Sequence, residues 1–206
     1  MDKTILIEKR THDAFEALHW VALATGKGDA RFWVSALVVR GGVAEGTDGH
    51  RLHRVFAPNP ADAVWTALEG SAWRVESRTP RKLTLVEDSD AFKVWPDVST
   101  RFRPPDEPRA KGALPTRASD ELFDSAGLRY LTFHAEYAKV TGEFFLAWKY
   151  FQDATQEADG WALCRDDDGP VVFTNGAGRE AYVMPCKTGK WRFRTTEESG
   201  CANTRP

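Results

Sequence analysis

Apolar and polar positions divide the chain into short alternating stretches punctuated by Gly, Pro and Asp. Thr4-Ile5-Leu6-Ile7-Glu8 predicts a strand. Asp13 to Leu23 predicts a helix with Thr11 as its N-cap and a stop near Gly26. Phe15, Leu18, Ala22 and either His19 or Leu23 fall on one helical face, which makes His19 an edge-of-core residue. Strands follow at 31–39, 42–47 and 51–56, with turns at Gly41-Gly42 and Asp48-Gly49. After Pro58-Asn59-Pro60, residues 61–68 predict a short helical turn. Trp73-Arg74-Val75-Glu76 and 82–86 predict strands, Asp88-Ser89-Asp90 a turn, and Trp95-Pro96-Asp97-Val98 a stretch whose proline limits pairing. Arg103 to Pro115, rich in Pro and charge, reads as a linker.

Beyond the linker, 119–123 predicts a strand. Residues 127–139 predict a helix, with Leu128, Leu131, Ala135 and Ala138 at helical spacing. Strands are then expected at 143–150, 160–164, 170–174 and 179–184, with Asp166-Asp167-Asp168 as a solvated turn rather than a calcium loop. A strand, helix, antiparallel-strands order thus occurs twice, giving an α+β fold with helices packed on antiparallel sheets. The tail from Thr188 carries the basic-aromatic piece Lys190-Trp191-Arg192-Phe193-Arg194 and ends in a polar run.

Composition narrows the class. The chain has 206 residues, 42% hydrophobic and 28% charged, with a formal net charge of -2. These values suit a globular protein with a real core and speak against a surface that is basic all over. No apolar run has the length of a membrane span, and the N-terminus lacks a signal-peptide h-region, so a cytoplasmic location is expected. Cys164, Cys186 and Cys201 have no paired spacing, which predicts neither a zinc site nor a disulfide framework. There is no phosphate-cradling loop and no nucleophile motif; a non-enzymatic protein without a cofactor is expected. A metal-dependent nuclease built on Asp48, His50 and His53 is the enzymatic alternative. Histidines three apart on a strand point to opposite faces, however, and no metal site is expected.

The most specific run is Thr47-Asp48-Gly49-His50-Arg51-Leu52. It resembles the signature of the bacterial DNA polymerase sliding clamp (beta subunit) family. Three further segments are similar to that family, in its order: Trp95-Pro96-Asp97 followed by Phe102, Gly127-Leu128-Arg129-Tyr130-Leu131, and Pro170-Val171-Val172-Phe173 with Ala181-Tyr182-Val183-Met184-Pro185-Cys186. The resemblance implies a DNA-clamp fold of repeated βαβββ units. It divides the chain into a clamp-like domain over 1–106, a shortened one over 107–190 and a tail over 191–206, as in a compact, phage-like relative without the family's first domain.

The function implied is that of a processivity factor. It would associate with duplex DNA without reading sequence, tether DNA polymerase and other replication proteins through short peptides, and be placed by a clamp loader. A homo-oligomer is expected, with a trimer favoured over a dimer. The implied peptide pocket is lined by Val34, Thr47, Gly49, His50, Arg51, Leu52, Pro96, Phe102, Met184 and Pro185, with Cys186 where the family has Met. Lys9, Arg10, Lys27, Arg129 and Lys139 are the implied DNA contacts, at the ends of the two expected helices. The alternative within the same fold is an adaptor that keeps the groove but forms no ring.

Overall fold

Among the described residues, strand pairing is antiparallel throughout. The computed structural model of the protein describes residues 3–26, 32–96, 98, 121–123, 129–136, 141–156, 162–165, 169–175 and 178–185. In chain order the elements are β1 (Thr4–Glu8), α1 (Phe15–Ala22), a 3-10 turn (Phe32–Ser35), β2 (Ala36–Arg40), β3 (Val43–Thr47), β4 (Arg51–Phe56), α2 (Ala63–Leu68), β5 (Ser71–Thr79), β6 (Lys82–Glu87) and α3 (Ser89–Val94). Then come β7 (Glu121–Phe123), β8 (Arg129–Glu136), β9 (Thr141–Ala147), α4 (Trp148–Thr155), β10 (Ala162–Arg165), β11 (Val171–Thr174) and β12 (Arg179–Val183).

Nine strands form one sheet in the order β1-β6-β5-β2-β3-β4-β12-β11-β10, and β7-β8-β9 form a second. The early meander β2-β3-β4 and the late meander β10-β11-β12 therefore join side by side along the β4–β12 ladder. Each follows a strand and a helix: β1 and α1 in the first case, β9 and α4 in the second. The βαβββ order expected from the sequence occurs twice.

One face of the large sheet carries the main core. Phe15, Leu18 and Val21 of α1, Val64, Trp65 and Leu68 from α2, and Phe151 and Ala154 from α4 pack with Leu37, Val39, Ala44, Val55, Phe173 and Ala181 of the strands. Two tryptophans sit within it, and each indole N–H finds a carbonyl: Trp20 donates to Ala154 at 3.2 Å and Trp73 to Leu68 at 2.9 Å. Residue 46 is where α1 crosses the sheet. A methyl group on Gly46 would lie 2.7 Å from the Val21 carbonyl oxygen, so the helix backbone rests directly on β3. The carbonyls at the end of α1 are met by cations. Arg51 Nη2 donates to Leu23 O at 2.7 Å, and Arg78 Nη1 donates to Ala22 O.

The other face holds two smaller clusters. Ala36, Val38, Ala72 and Ala91 surround Trp95, with Trp33 edge-on to it. Leu52, Val172 and Tyr182 pack with Val98. Trp95 lies on the β2–β5 side and Val98 on the β4–β12 side, so the chain after α3 crosses this face, with Pro96 on the way.

Five sequence expectations are corrected. The helix expected at 127–139 is a strand: β8 pairs with β9 from Tyr130↔Ala147 to Glu136↔Thr141. Leu131, Phe133 and Ala135 alternate with Thr132 and His134, and that period-two pattern of apolar and polar residues prevails over the helical spacing. The helix lies later, as α4, where the expected strand at 143–150 ends at Ala147; Lys149 and Asp153, four apart, form an ion pair along it. Residues 89–94 form a helix, with the Asp88 carboxylate accepting from Ala91 N at 2.9 Å as its N-cap. Thr11 is not the cap of α1. Both its N–H and that of His12 turn back to Glu8 O, and the helix starts after Ala14. In addition, 32–35 is a 3-10 turn, so the expected strand begins only at Ala36.

Gly46→Ala should lower stability by about 1–3 kcal/mol, because the helix must move off the sheet to admit the methyl. Urea unfolding checks this; an unchanged midpoint would mean that α1 does not lie on β3 as described.

Candidate groove at the β4–β12 seam

The run Thr47 to Leu52 is a turn that bonds to itself before it can bond to anything else. Thr47 Oγ1 donates to Arg51 O at 2.5 Å and accepts from Gly49 N at 3.0 Å. Asp48 Oδ1 accepts from the backbone N–H groups of His50 and Arg51 at 2.9 and 3.1 Å, an Asx turn. Gly49, at φ +88°, takes the left-handed conformation the turn requires. The result is a rigid corner with His50 exposed at its tip.

This corner abuts the end of the last strand. β12 runs antiparallel to β4 with Leu52 opposite Tyr182 and Arg51 opposite Val183. One step further, Met184 N–H donates to His50 O at 2.9 Å. Directly opposed residues share a face, so Leu52 and Tyr182 lie side by side, with Val172 and Val98 completing the cluster. Leu52 is 1% exposed at the base of the candidate groove, whereas Met184 is 41% exposed and Pro185 half-buried at the end of β12. Pro96, also half-buried, precedes Val98 on the remaining side. An apolar floor with a methionine, two prolines and an imidazole above it suits a short apolar segment.

Beside the floor lies a row of charges. Glu45, Arg54 and Glu180 stand directly opposite one another on β3, β4 and β12. Arg54 donates to Glu45 Oε1 at 2.8 Å through Nε and approaches Glu180 at 3.4 Å, while Tyr182 OH donates to Glu180 at 2.8 Å. Burial works against the Arg54 charge, yet the Glu45 carboxylate, helped by Tyr182 and Glu180, raises its pKa.

Several residues expected in the pocket are placed elsewhere. Arg51 points to the helical face, away from Leu52, as alternation along β4 requires. Its Nε pairs with Asp48 at 2.9 Å, its Nη1 with Asp153 of α4 at 2.5 Å and its Nη2 with Leu23 O, and the guanidinium lies 4.5 Å from the Tyr150 ring centre. It is a buried staple, not a groove cation. Val34 is fully buried beside Gly26, which in turn lies next to Asp48. Thr47 is buried and spends its hydroxyl within the turn. Phe102 and Cys186 lie outside the described residues. Tyr182, Val98 and Val172 were not foreseen. For Tyr182 the signal was available, since it sits two residues before Met184 and thus on the same strand face.

The two histidines separate as their spacing requires. His50 is exposed, whereas His53 is fully buried and stacks on Trp20 at 4.3 Å between ring centres, its Nδ1–H donating to Trp20 O at 2.9 Å. Among the described residues, Asp48, His50 and His53 do not come together as ligands of one metal ion. Burial, with the nearby Arg51 charge, pushes the His53 pKa down to about 3.

The expected DNA contacts are thin. Seven of the eight residues of α1 are buried and the eighth is Glu16. Lys9 pairs with Glu16 at 2.6 Å, and Arg10 is exposed. Arg129 opens a strand, not a helix facing a central hole. Lys27 and Lys139 lie outside the described residues.

Comparison with known proteins then places the fold. No protein-family model and no curated protein matches the chain. Solved structures do. Caulobacter crescentus pol III beta is similar at 14% identity with a TM-score of 0.56, and a second structure of the DNA polymerase sliding clamp from that organism at 16% with 0.53. The DnaN sliding clamp from Bartonella birtlesii bound to griselimycin is similar at 13% with 0.51. These likenesses cover 90%, 91% and 90% of this chain and 66% of each of those chains, so the protein spans just under two thirds of their length.

Acidification should expose the cost of keeping His53 neutral. An unfolded chain protonates this residue near pH 6.5 and the folded one only near 3, so the unfolded state holds more protons between those values. Stability is complete above pH 6.5 and falls as pH drops towards 3, by up to about 1.4 kcal/mol per pH unit from this group. In His53→Gln that slope should be shallower by about one proton when urea unfolding is followed from pH 7 to pH 4. Parallel curves would mean that His53 accepts a proton in the folded state. Described upward from its strands and its seam, the chain has the fold of the bacterial DNA polymerase III beta sliding clamps.

Proposed function

We propose that the chain is a clamp-type processivity factor that holds short apolar peptides of replication proteins in the β4–β12 groove. One observation carries the reading. His50 and Met184, more than a hundred residues apart in sequence, are joined by a backbone hydrogen bond, and the apolar pair Leu52–Tyr182 lies next to them. The fold supports it, as does the Bartonella clamp, which binds griselimycin. In this reading the domains over 1–106 and 107–190 meet at that ladder, followed by the tail 191–206. The chain acts without catalysis in the cytoplasm, on duplex DNA, as a homo-oligomer with a trimer favoured, and takes its place through a clamp loader. No described helix is long and apolar enough to cross a membrane.

The non-ring adaptor is the second reading, and α1 favours it. A helix with seven of eight residues buried and its flanking Lys9 tied to Glu16 gives little positive surface for phosphates. DNA association would then have to come from other parts of the chain.

Two measurements decide. The wild type should bind griselimycin in calorimetry. Met184→Ala, which alters an exposed side chain and leaves the core intact, should weaken binding by about 1–3 kcal/mol, roughly 5- to 150-fold. A wild type that ignores griselimycin would end the groove reading. Sedimentation then separates the two forms: a trimer or dimer is expected of a ring, and a monomer that still binds griselimycin is the adaptor.

A further inference from the structure

The corner that presents His50 is not held by β4 alone. A continuous chain of polar contacts leads from it, through the sheet, to α4. Met184 N–H rests on His50 O. The His50 N–H rests on Asp48 Oδ1, and Asp48 Oδ2 accepts from Arg51 Nε at 2.9 Å. Arg51 Nη1 donates in turn to Asp153 Oδ2 at 2.5 Å. Asp153 is 1% exposed, and its other oxygen accepts from Lys149 Nζ, also at 2.5 Å.

We propose that Asp153 is a positioning residue for the peptide groove: acting through Arg51, it fixes the 48–51 corner against the end of β12. The proposal rests on the groove reading and names what keeps that groove in shape. Without the Asp153 carboxylate, the buried Arg51 guanidinium keeps Asp48, the Leu23 carbonyl and the Tyr150 ring but loses its charged partner on α4. The guanidinium must then seek water or draw on Asp48 differently, and Asp48 is the group that holds the backbone N–H groups of His50 and Arg51. The His50 carbonyl shifts with them, and the rim residues Met184 and Pro185 lose their fixed distance from Leu52. A ligand that needs floor and rim together feels this, although it touches neither Asp153 nor Arg51.

Lys149 serves as the internal control. It is the exposed partner of the same carboxylate, on the oxygen that Arg51 does not use. Lys149→Gln removes charge from α4 but leaves the path to the corner intact.

The test is amide hydrogen exchange followed residue by residue, with griselimycin binding alongside. In Asp153→Asn, the Met184 amide should exchange at least tenfold faster while amides of the distant β5–β6 pair stay within twofold, and griselimycin should bind roughly tenfold more weakly. Lys149→Gln should change neither. An unaltered Met184 amide, or equal acceleration in β5 and β6, overturns the proposal, since the second result is what general loss of stability would give. If Asp153→Asn does not fold, Asp153→Glu, which keeps the charge but moves it by one methylene, is read by the same two outcomes. A wild type that does not bind griselimycin removes the groove, and the exchange rates alone then decide whether Asp153 sets the corner.

Discussion

The candidate groove depends on five residues of β4 lying beside five of β12. The ladder closes a loop of more than a hundred residues, which costs conformational entropy that no local contact repays. Its backbone bonds contribute modestly, because unfolded strands bond equally well to water. Side chains must therefore choose the partner and the register. On one face, Val55, Ala181 and Val183 bury apolar area with α1 and α4. On the other, Glu45, Arg54 and Glu180 stand in a row of alternating sign across three strands. Slipping β12 by one residue would send Glu180 to the helical face and bring an alanine or arginine opposite Arg54. The charge row is thus better understood as a device for register than as a source of stability, since burying such ions costs about what their attraction returns.

Arg51 shows the same logic at higher cost. Its guanidinium is almost fully enclosed, yet its donors meet two carboxylates and a helix-terminal carbonyl, and its plane lies near an aromatic ring. Lysine could not replace it, because a single ammonium cannot reach three acceptors set around a planar fork. The Asp-Gly-His-Arg run therefore has a structural reason to exist that is separate from any ligand. Only Leu52, His50 and the backbone of the turn remain available on the groove side.

Much of the fold was legible because its strands alternate cleanly: β1, β3, β4, β6, β11 and β12 lie within a residue or so of where periodicity puts them. The failures have local causes. The aromatic run from Phe144 to Phe151 is interrupted only by Lys149, with no Gly, Pro or Asp to mark a turn, so the change from β9 to α4 at Trp148 left no mark in the pattern. α3 is six residues long and was hidden behind an aspartate cluster that serves as its cap. In the candidate groove, the meeting of residues 50–52 with 182–184 could not come from periodicity, because register between distant strands is a tertiary property. It came from the likeness of two short motifs to one family. The direction of Arg51, by contrast, was readable. Alternation that separates His50 from His53 also separates Arg51 from Leu52, and the family likeness obscured it. Asp153 gave no signal at all, since nothing in its neighbourhood points to an arginine 102 positions away.

A groove placed on such a seam is tied to the integrity of the chain. Its floor comes from β4, β11 and β12, and its rim from the corner and the strand end that the ladder joins. A ligand that touches both sides binds only when the ladder is formed. It therefore stabilises the ladder by RT ln(1 + [L]/Kd), about 2.7 kcal/mol at a hundredfold excess over Kd. Conversely, whatever weakens the ladder lowers affinity by reducing the fraction of molecules with a complete groove, even where every contact residue is intact. The electrostatic row and the Arg51 staple can thus be kept by selection on binding without contacting any ligand. The same reasoning separates groove from DNA: a peptide needs the seam closed, whereas phosphates need exposed cations, which α1, sealed into the core, does not supply.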